Sequence, residues 1–293
     1  MFRVTNSHLL TRLTGNLNRR LGDISKLSNQ LATGKKINKA GDDPITANRI
    51  MAFKHALSET KQFSRNAEDA VSWLQSTDLA LGDALDVMQR VRGLALVGGG
   101  ITDDESRQAV AEELDQLREH LLSVANTSFD GDRYLFAGNA LTQQPFTLDA
   151  DGSGVYAGDD KDYKYEIVQG SRAAINITGQ KAFMEPDLFS VITDVRQAVL
   201  NANDIDSVLT QVDDAVDGII QQRSVCGARM NRFEMTLERY ADEELNFTSL
   251  LSSSEEIDLA QVLVEYTMKE NTYHAALSTT ARALQPTLLD YIR

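Results

Sequence analysis

The chain has 293 residues, with 29 Lys+Arg against 43 Asp+Glu, a formal charge of −14 and one cysteine. This length allows two or three compact units, each with its own core. A single cysteine excludes an intramolecular disulfide and any zinc site built from several cysteines, and no apolar run approaches the ~20 residues that cross a bilayer.

The charge is unevenly distributed. Residues 1–55 carry ten Lys/Arg and three Asp/Glu, whereas residues 252–293 carry three and six. The basic N-terminal segment could contact nucleic acid phosphates, but it has two aromatic residues and no recognised binding motif. We therefore expect it to pair with an acidic helix of the same protein rather than with nucleic acid.

Apolar residues near the N-terminus recur every three or four positions, which predicts a helix of about thirty residues that ends at Gly34. Arg20 interrupts this otherwise apolar line. The residues of the line that we assign to an assembly interface are Leu10, Leu13, Leu17, Ile24, Leu27 and Leu31.

The middle of the chain contains further helical patterns. Asp43 followed by Pro44 predicts a capped helix that extends to the three glycines at 98–100. Thr102 and Glu105 predict the cap of the next helix, which is followed after the β insert by a short helix beyond Pro186 and by a long one from Ile205 to about Phe247.

A β-rich insert separates these helices. Residues 129–183 hold seven of the 18 Gly and eight of the 18 Phe+Tyr. Alternating apolar residues at 163–167 and 173–177, bounded by Gly170 and Gly179, predict strands.

The C-terminal segment resembles the N-terminal one in pattern. Ser253 and Glu256 match a capping box and predict the start of a long amphipathic helix. Its interface residues by the same spacing are Leu259, Leu263, Tyr266, Tyr273, Leu277 and Leu284.

These patterns predict a mainly α fold in which long helices from both termini form coiled-coil-like layers, with a small β-rich domain inserted in mid-chain. We expect three domains: a terminal coiled-coil rod of residues 1–40 and 253–293, a helical bundle of residues 41–128 and 186–252, and a β-rich outer domain of residues 129–185. A lone helix with a narrow apolar stripe is marginal in water, so we expect the rod to be disordered in the monomer and to order on association.

The sequence predicts no enzyme, metal or cofactor. Its four histidines lack partners at metal-ligand spacing, and no nucleophile or phosphate-binding motif is present. Residues 149–160 partly match a calcium-binding loop, but the flanks are not helical and Asp160 replaces the usual Glu, which favours a hairpin turn. Cys226 is expected to be a buried small side chain.

Three segments in order resemble the flagellin family. Residues 31–44 (LATGKKINKAGDDP) are similar to its N-terminal signature, residues 89–95 (QRVRGLA) to a following helical motif, and residues 223–234 (RSVCGARMNRFE) to its C-terminal motif. Residues 2–6 (FRVTN), 134–139 (YLFAGN) and 288–292 (LLDYI) are most similar to the hook-associated members of the family.

The resemblance implies a structural protein that joins the flagellar hook to the filament. The implied partners are copies of itself in a homo-oligomeric ring, the preceding hook-associated protein, flagellin and a flagellar export chaperone, without membrane insertion. Because apolar runs near the N-terminus are interrupted, a cleaved Sec signal is not expected, and the resemblance implies type III export to the extracellular flagellum. A filament flagellin remains an alternative, as does a secreted adhesin-like module that binds through the β insert.

The resemblance also implies roles for two residue sets. A turn between the inner and outer helices would be formed by Gly34, Gly41, Asp42, Asp43 and Pro44. Contacts of the outer helices would be made by Gln89, Arg90, Arg92, Leu94, Asn231, Arg232 and Phe233.

Overall fold

The computed structural model describes residues 2–100, 102–149, 151–203 and 205–284. Within these residues it has seven helices and four short strands. The helices are α1 (Phe2–Thr33), α2 (Pro44–Gly98), α3 (Asp104–Ala125), α4 (Gly179–Phe183), α5 (Leu188–Asn201), α6 (Ile205–Glu255) and α7 (Leu259–Leu284). The strands are β1 (Phe146–Leu148), β2 (Gly154–Tyr156), β3 (Lys164–Val168) and β4 (Ser171–Ala174). The predicted fold class, mainly α with a small β region in mid-chain, is confirmed.

The end of α1 and the start of α2 are found at the predicted residues. Gly34 follows the last residue of α1 at φ +70°, a left-handed conformation that favours glycine and ends helices. The Asp43 carboxylate accepts hydrogen bonds from the amides of Ile45 (3.1 Å) and Thr46 (3.2 Å), so it caps α2 as predicted.

Two other predicted caps are wrong. Asp103, not Thr102, caps α3, because its carboxylate accepts from the Ser106 amide at 3.1 Å. Ser253 lies inside α6, which continues to Glu255, and Asp258 begins α7 by accepting from the Ala260 amide at 3.0 Å. In both helices the N-cap residue is an aspartate whose carboxylate accepts a hydrogen bond from a backbone amide of the first turn.

The β region forms two antiparallel hairpins. β1 pairs with β2 with Thr147 opposite Val155, and β3 pairs with β4 with Tyr165 opposite Ala173. The second hairpin occupies the segment where alternating residues predicted strands. The short helix α4 follows it and was not predicted.

The chain divides into two compact units. Unit 1 comprises residues 1–59 and 243–293, and unit 2 comprises residues 60–242. Unit 2 has a continuous core in which Leu74 and Leu81 of α2 join Phe136, Phe146 and other aromatic side chains of the β region. The grouping therefore differs from the predicted three domains, since residues 129–185 share one core with the surrounding helices.

No helix in the described part of the chain combines the length and apolar character needed to span a membrane.

Candidate assembly surfaces

The two ends of the chain meet in unit 1, where α1 packs along α7. The helices are antiparallel. The Ile257 amide donates to the Gly34 carbonyl at 3.1 Å beside the first residues of α7, whereas Lys269 Nζ lies 3.2 Å from the Asp23 carboxylate further along. Further towards the beginning of α1, Leu13 and Leu17 line one pocket together with residues of α7 between Thr272 and Thr280. Residues separated by more than 240 positions are thus neighbours.

On α1, the predicted line of apolar residues is the less exposed face. Leu27 is buried with 8% of its surface exposed, whereas Leu21 on a flank is 50% exposed. The half-buried members of the line are Leu13, Leu17, Ile24 and Leu31. Arg20 is half-buried in the same line, so the polar interruption lies within the packed face.

On α7, the less exposed face differs from the predicted one. Spacings of four and three residues connect its members, which are Val262, Tyr266, Lys269, Tyr273, Ala276 and Thr280. At 100° per residue this face is rotated by roughly 60° from the line of leucines. Leu259, Leu263 and Leu277 are 59%, 54% and 39% exposed.

These three leucines therefore do not pack against α1 within one copy, and their assignment to an assembly interface stays a prediction. Small and aromatic side chains allow α1 to approach α7, and the leucines are left facing water. Tyr266 and Tyr273 lie on the packed face, and their place in an assembly interface stays a prediction. The side chains of Leu10 and Leu284 lie outside the described part of the structure.

Three charged residues form an ion cluster in unit 1. They lie in the connection after α1, in α2 and at the end of α6. The Glu255 carboxylate, 7% exposed as a residue, lies 2.6 Å from Lys35 Nζ and 3.0 Å from Lys54 Nζ. The Lys36 amide donates to the Glu255 carbonyl at 2.7 Å. Burial alone would raise the pKa of Glu255, but hydrogen bonds from Lys35 and Lys54 outweigh it and lower the pKa below its ordinary value of 4.5.

We expect Glu255→Gln to loosen this connection. Both lysines are about half exposed, so solvent screening limits the cost to roughly 1–2 kcal/mol. Because the folded pKa is lowered, the contribution of Glu255 is present above pH 4.5 and is lost as the pH falls through the folded value. Hydrogen exchange at the amides of Lys36 and Ile257 should be faster in the variant at pH 7.

The matched control is Glu256→Gln, since Glu256 is exposed and follows directly. It should leave the exchange rates of these amides unchanged. Equal acceleration by both substitutions would contradict the ion-cluster account. So would a difference between the Glu255 variant and the wild type that never decreases as the pH is lowered below 4.5.

Two hollows border the ion cluster and share Thr33, Lys35, Lys54 and Glu255 in their walls. The first, which we name the Leu251 hollow, has a volume of about 510 Å³. Its remaining walls are Gly34, Thr248, Leu251, Ser252, Glu256, Ile257 and Leu259. The second, which we name the Ile50 hollow, has a volume of about 400 Å³. Its remaining walls are Ile37, Asn38, Lys39, Ala40, Ala47, Ile50 and Met51.

Comparison with known proteins shows that the chain is similar to flagellar proteins. The family model of the bacterial flagellin N-terminal helical region matches residues 5–140. The chain is similar to flagellar hook-associated protein 3 of Escherichia coli strain K12, with 23% identity over 279 residues that cover 86% of this chain and 87% of the relative. The N-terminal part of the chain thus matches the flagellin model, and most of the chain is similar to a flagellar hook-associated protein.

A second relative also spans most of the chain. Flagellin of Bacillus subtilis strain 168 is 26% identical over 296 residues, covering 94% of this chain and 93% of the relative. The fold is similar to that of the flagellar junction protein of Legionella pneumophila, with a TM-score of 0.60, 16% identity, and coverage of 72% of this chain and 100% of that one.

The residues that resemble the flagellin turn motif lie between α1 and α2. Gly34 ends the first helix and Pro44 begins the second. The Asp42 carboxylate accepts from the Lys39 amide at 3.2 Å, which closes the turn before Asp43. A hydrogen bond from the Thr46 hydroxyl, followed by those from backbone amides, lowers the pKa of Asp43.

The predicted contact residues of the outer helices belong to unit 2 and separate into two groups. Leu94 and Phe233, 5% and 1% exposed, are buried in the chain's own core, so the prediction that they make outer contacts is corrected. Arg90 and Arg92 are exposed and pair with Glu113 and Asp213. The other exposed members are Gln89, Asn231 and Arg232.

Cys226 is buried, as expected, and its thiol donates to the Leu74 carbonyl at 3.2 Å. Burial raises the pKa of this thiol to about 11. The thiolate that would react with oxidants or metals is therefore scarce at neutral pH.

The first part of the segment that partly matches a calcium loop lies between β1 and β2, as the predicted hairpin turn. The amide of Asp149 donates to the Ser153 carbonyl at 3.0 Å, which closes the turn. A Cβ atom on Gly152 would overlap the Arg118 guanidinium, so a positive charge lies against this turn. No group of three or more candidate metal-ligand side chains occurs among residues 2–100, 102–149, 151–203 and 205–284.

We expect no calcium binding at this turn, because the guanidinium of Arg118 repels a cation there. Isothermal titration of the full chain with calcium should show only the heat of dilution. A saturable heat that disappears in Asp149→Asn would contradict this expectation.

Proposed function

We propose that this protein is a structural component of the bacterial flagellum that joins the hook to the filament and assembles by packing of its terminal helices. The observation that carries the proposal is the antiparallel pair of α1 and α7, which leaves large apolar side chains facing water. Leu259, Leu263, Val264 and Met268 are each more than half exposed on α7. Such a surface is typical of a chain that is buried on assembly.

The names of the relatives support the proposed position between the hook and the filament. The relative in E. coli is a hook-associated protein, and the structural neighbour in L. pneumophila is a junction protein. We propose a homo-oligomeric ring between the preceding hook-associated protein and the first flagellin, reached by export with a chaperone and without a cleaved signal, in the extracellular part of the flagellum. We propose a structural rather than an enzymatic role.

The second candidate is a filament flagellin, which the B. subtilis relative favours because it covers more of the chain. The adhesin-like alternative has less physical support. The β region contributes Phe136, Phe146 and Ile175 to the same core as the helices of unit 2, so it is not a separately packed binding module.

Deletion in the native host separates the two flagellar candidates. If the protein joins hook and filament, cells that lack it should retain hooks, lose filaments and release unpolymerised flagellin, and the wild-type chain should restore swimming. Antibody labelling in electron microscopy should then mark a single band at the base of each filament. Labelling along the whole filament would support the flagellin alternative and overturn the junction proposal.

A further inference from the structure

One wall of the Ile50 hollow in unit 1 is a single stripe of α2. Four residues at helical spacings of three and four share this face of the helix, and they are Ala47, Ile50, Met51 and Lys54. Ala47 and Ile50 are buried, whereas Met51 is 56% exposed. From residue 47 to residue 54 the stripe runs roughly 10 Å along the helix, at about 1.5 Å per residue. The wall is therefore an extended apolar strip that ends in an ammonium group.

The connection between α1 and α2 forms another wall of the hollow. Ile37 and Ala40 add apolar surface, and Lys39 adds a second ammonium group. The Lys39 amide donates to the Asp42 carboxylate at 3.2 Å. In the described part of the chain, however, no carboxylate lies within ion-pair distance of the Lys39 ammonium. This cation is left to pair with a ligand.

The two hollows beside the ion cluster differ in charge. Two lysines balance two glutamates around the Leu251 hollow, and they are Lys35, Lys54, Glu255 and Glu256. The Ile50 hollow gains Lys39 and lacks Glu256, so three lysines surround one carboxylate. Because Lys35 and Lys54 already contact Glu255, the excess positive charge is concentrated at Lys39. The Ile50 hollow therefore favours a ligand with a negative group.

Apolar walls beside an unpaired ammonium group match a ligand that has an alkyl chain and an anionic head. We propose that the Ile50 hollow binds a medium-chain fatty acid, whose carboxylate pairs with Lys39 and whose chain covers Ile50 and Met51. The volume of about 400 Å³ lies within the range of small-ligand sites, roughly 300–1,000 Å³. An unbranched chain follows the extended strip of α2, and its burial releases water from two apolar surfaces.

Isothermal titration of the full chain with decanoate tests the proposal. We expect one saturable site with a Kd of roughly 0.1–1 mM for a ligand of this size. Octanoate should bind roughly four- to fifteenfold more weakly, because it buries two methylene groups fewer. Decyltrimethylammonium, which has a similar chain and a positive head, should bind at least about fivefold more weakly. Equal binding of decanoate and decyltrimethylammonium, or no saturable binding of decanoate, would overturn the proposal.

Substitution of Lys39 tests where the carboxylate binds. Lys39→Gln should raise the Kd of decanoate at least about threefold, because the ligand loses its ion pair. Lys26→Gln is the matched control, since Lys26 is also exposed in unit 1 but lines neither hollow. It should change the Kd by less than about 1.5-fold, as a charge without contact acts only through screened solvent. Equal shifts would assign the effect to net charge and overturn the pairing with Lys39.

A second pair of variants tests where the alkyl chain binds. Met51→Ser should raise the Kd of decanoate at least about threefold, because the chain loses an apolar neighbour. Leu263→Ser is the matched control, since Leu263 is 54% exposed on α7 and lines neither hollow. Equal shifts would show that decanoate adheres to exposed apolar side chains in general. Loss of binding in Leu251→Ser but not in Met51→Ser would place the ligand in the Leu251 hollow, and either result would overturn the proposed site.

The fatty-acid site does not depend on the proposed flagellar role. Sedimentation of the same full chain measures assembly separately from ligand binding. A chain that assembles but does not bind decanoate contradicts only the fatty-acid site. A chain that binds decanoate but never assembles contradicts only the proposed function.

Discussion

Gly138→Ala is expected to unfold unit 2 at moderate urea concentrations. Gly138 has φ +71°, and a Cβ atom there would overlap the carbonyl oxygen of Asp159. The two segments are joined by a hydrogen bond from the Asp159 amide to the Ala137 carbonyl at 3.1 Å, so neither backbone can move away freely. Overpacking together with the left-handed backbone should lower the free energy of unfolding by roughly 3–5 kcal/mol.

The measurement can use the single tryptophan. Trp73 is 1% exposed in the core of unit 2, so its fluorescence reports the unfolding of that unit. Gly170→Ala is the matched control, because Gly170 has φ +76° but no atom within 4 Å of the position of a Cβ. Its cost should be about 1 kcal/mol, from the backbone alone. Similar losses of unfolding free energy in the two variants would show that the contact with Asp159 adds no cost. That result would contradict the prediction.

Amides of α1 and α7 in the unassembled chain should exchange at least about a thousandfold faster than those of the unit 2 core. Among the side chains described in these two helices, only Leu27 and Thr280 are buried. Few apolar contacts therefore oppose local opening, whereas amides in a continuous core open only with the whole unit. A thousandfold ratio corresponds to about 4 kcal/mol.

Hydrogen exchange measured by mass spectrometry checks this expectation. Peptides from residues 5–33 and 259–284 should lose protection first, and assembly with further copies should restore it. Protection of residues 5–33 in the monomer as strong as that around Leu81 and Leu114 would contradict the prediction. It would also remove the reason to expect that the terminal helices order on association.

Several elements could be predicted because their signals are local. Glycine in a left-handed conformation, aspartate at a helix start and proline at the first helical position act on neighbouring backbone groups alone, and the bounds of α2 followed from them. The cap of α3 was missed since the adjacent residues Thr102 and Asp103 compete for the position. The cap of α7 was missed because the capping-box pattern at Ser253 lies inside α6. In both, the geometry selected Asp103 and Asp258.

The rotation of α7 could not be read from the spacing of its leucines. A line of Leu259, Leu263 and Leu277 predicts an apolar stripe but not which helix covers it. In the structure, Ala276 and Thr280 face α1, because small side chains allow close approach to the half-buried leucines of that helix. The ion cluster of Glu255 also escaped prediction, since its lysines are about two hundred positions away and only folding brings them together.

By itself, the sequence determined the helical class, the β insert and the segments that resemble flagellin, because periodicity, local capping and short motifs depend on near neighbours. The tertiary structure alone decided that the β region shares one core with the helices and that Leu94 and Phe233 are internal. It also decided which face of α7 remains exposed and that hollows form beside Glu255. These features depend on contacts between distant residues, and packing volumes and charge pairs select among the arrangements that the sequence pattern allows.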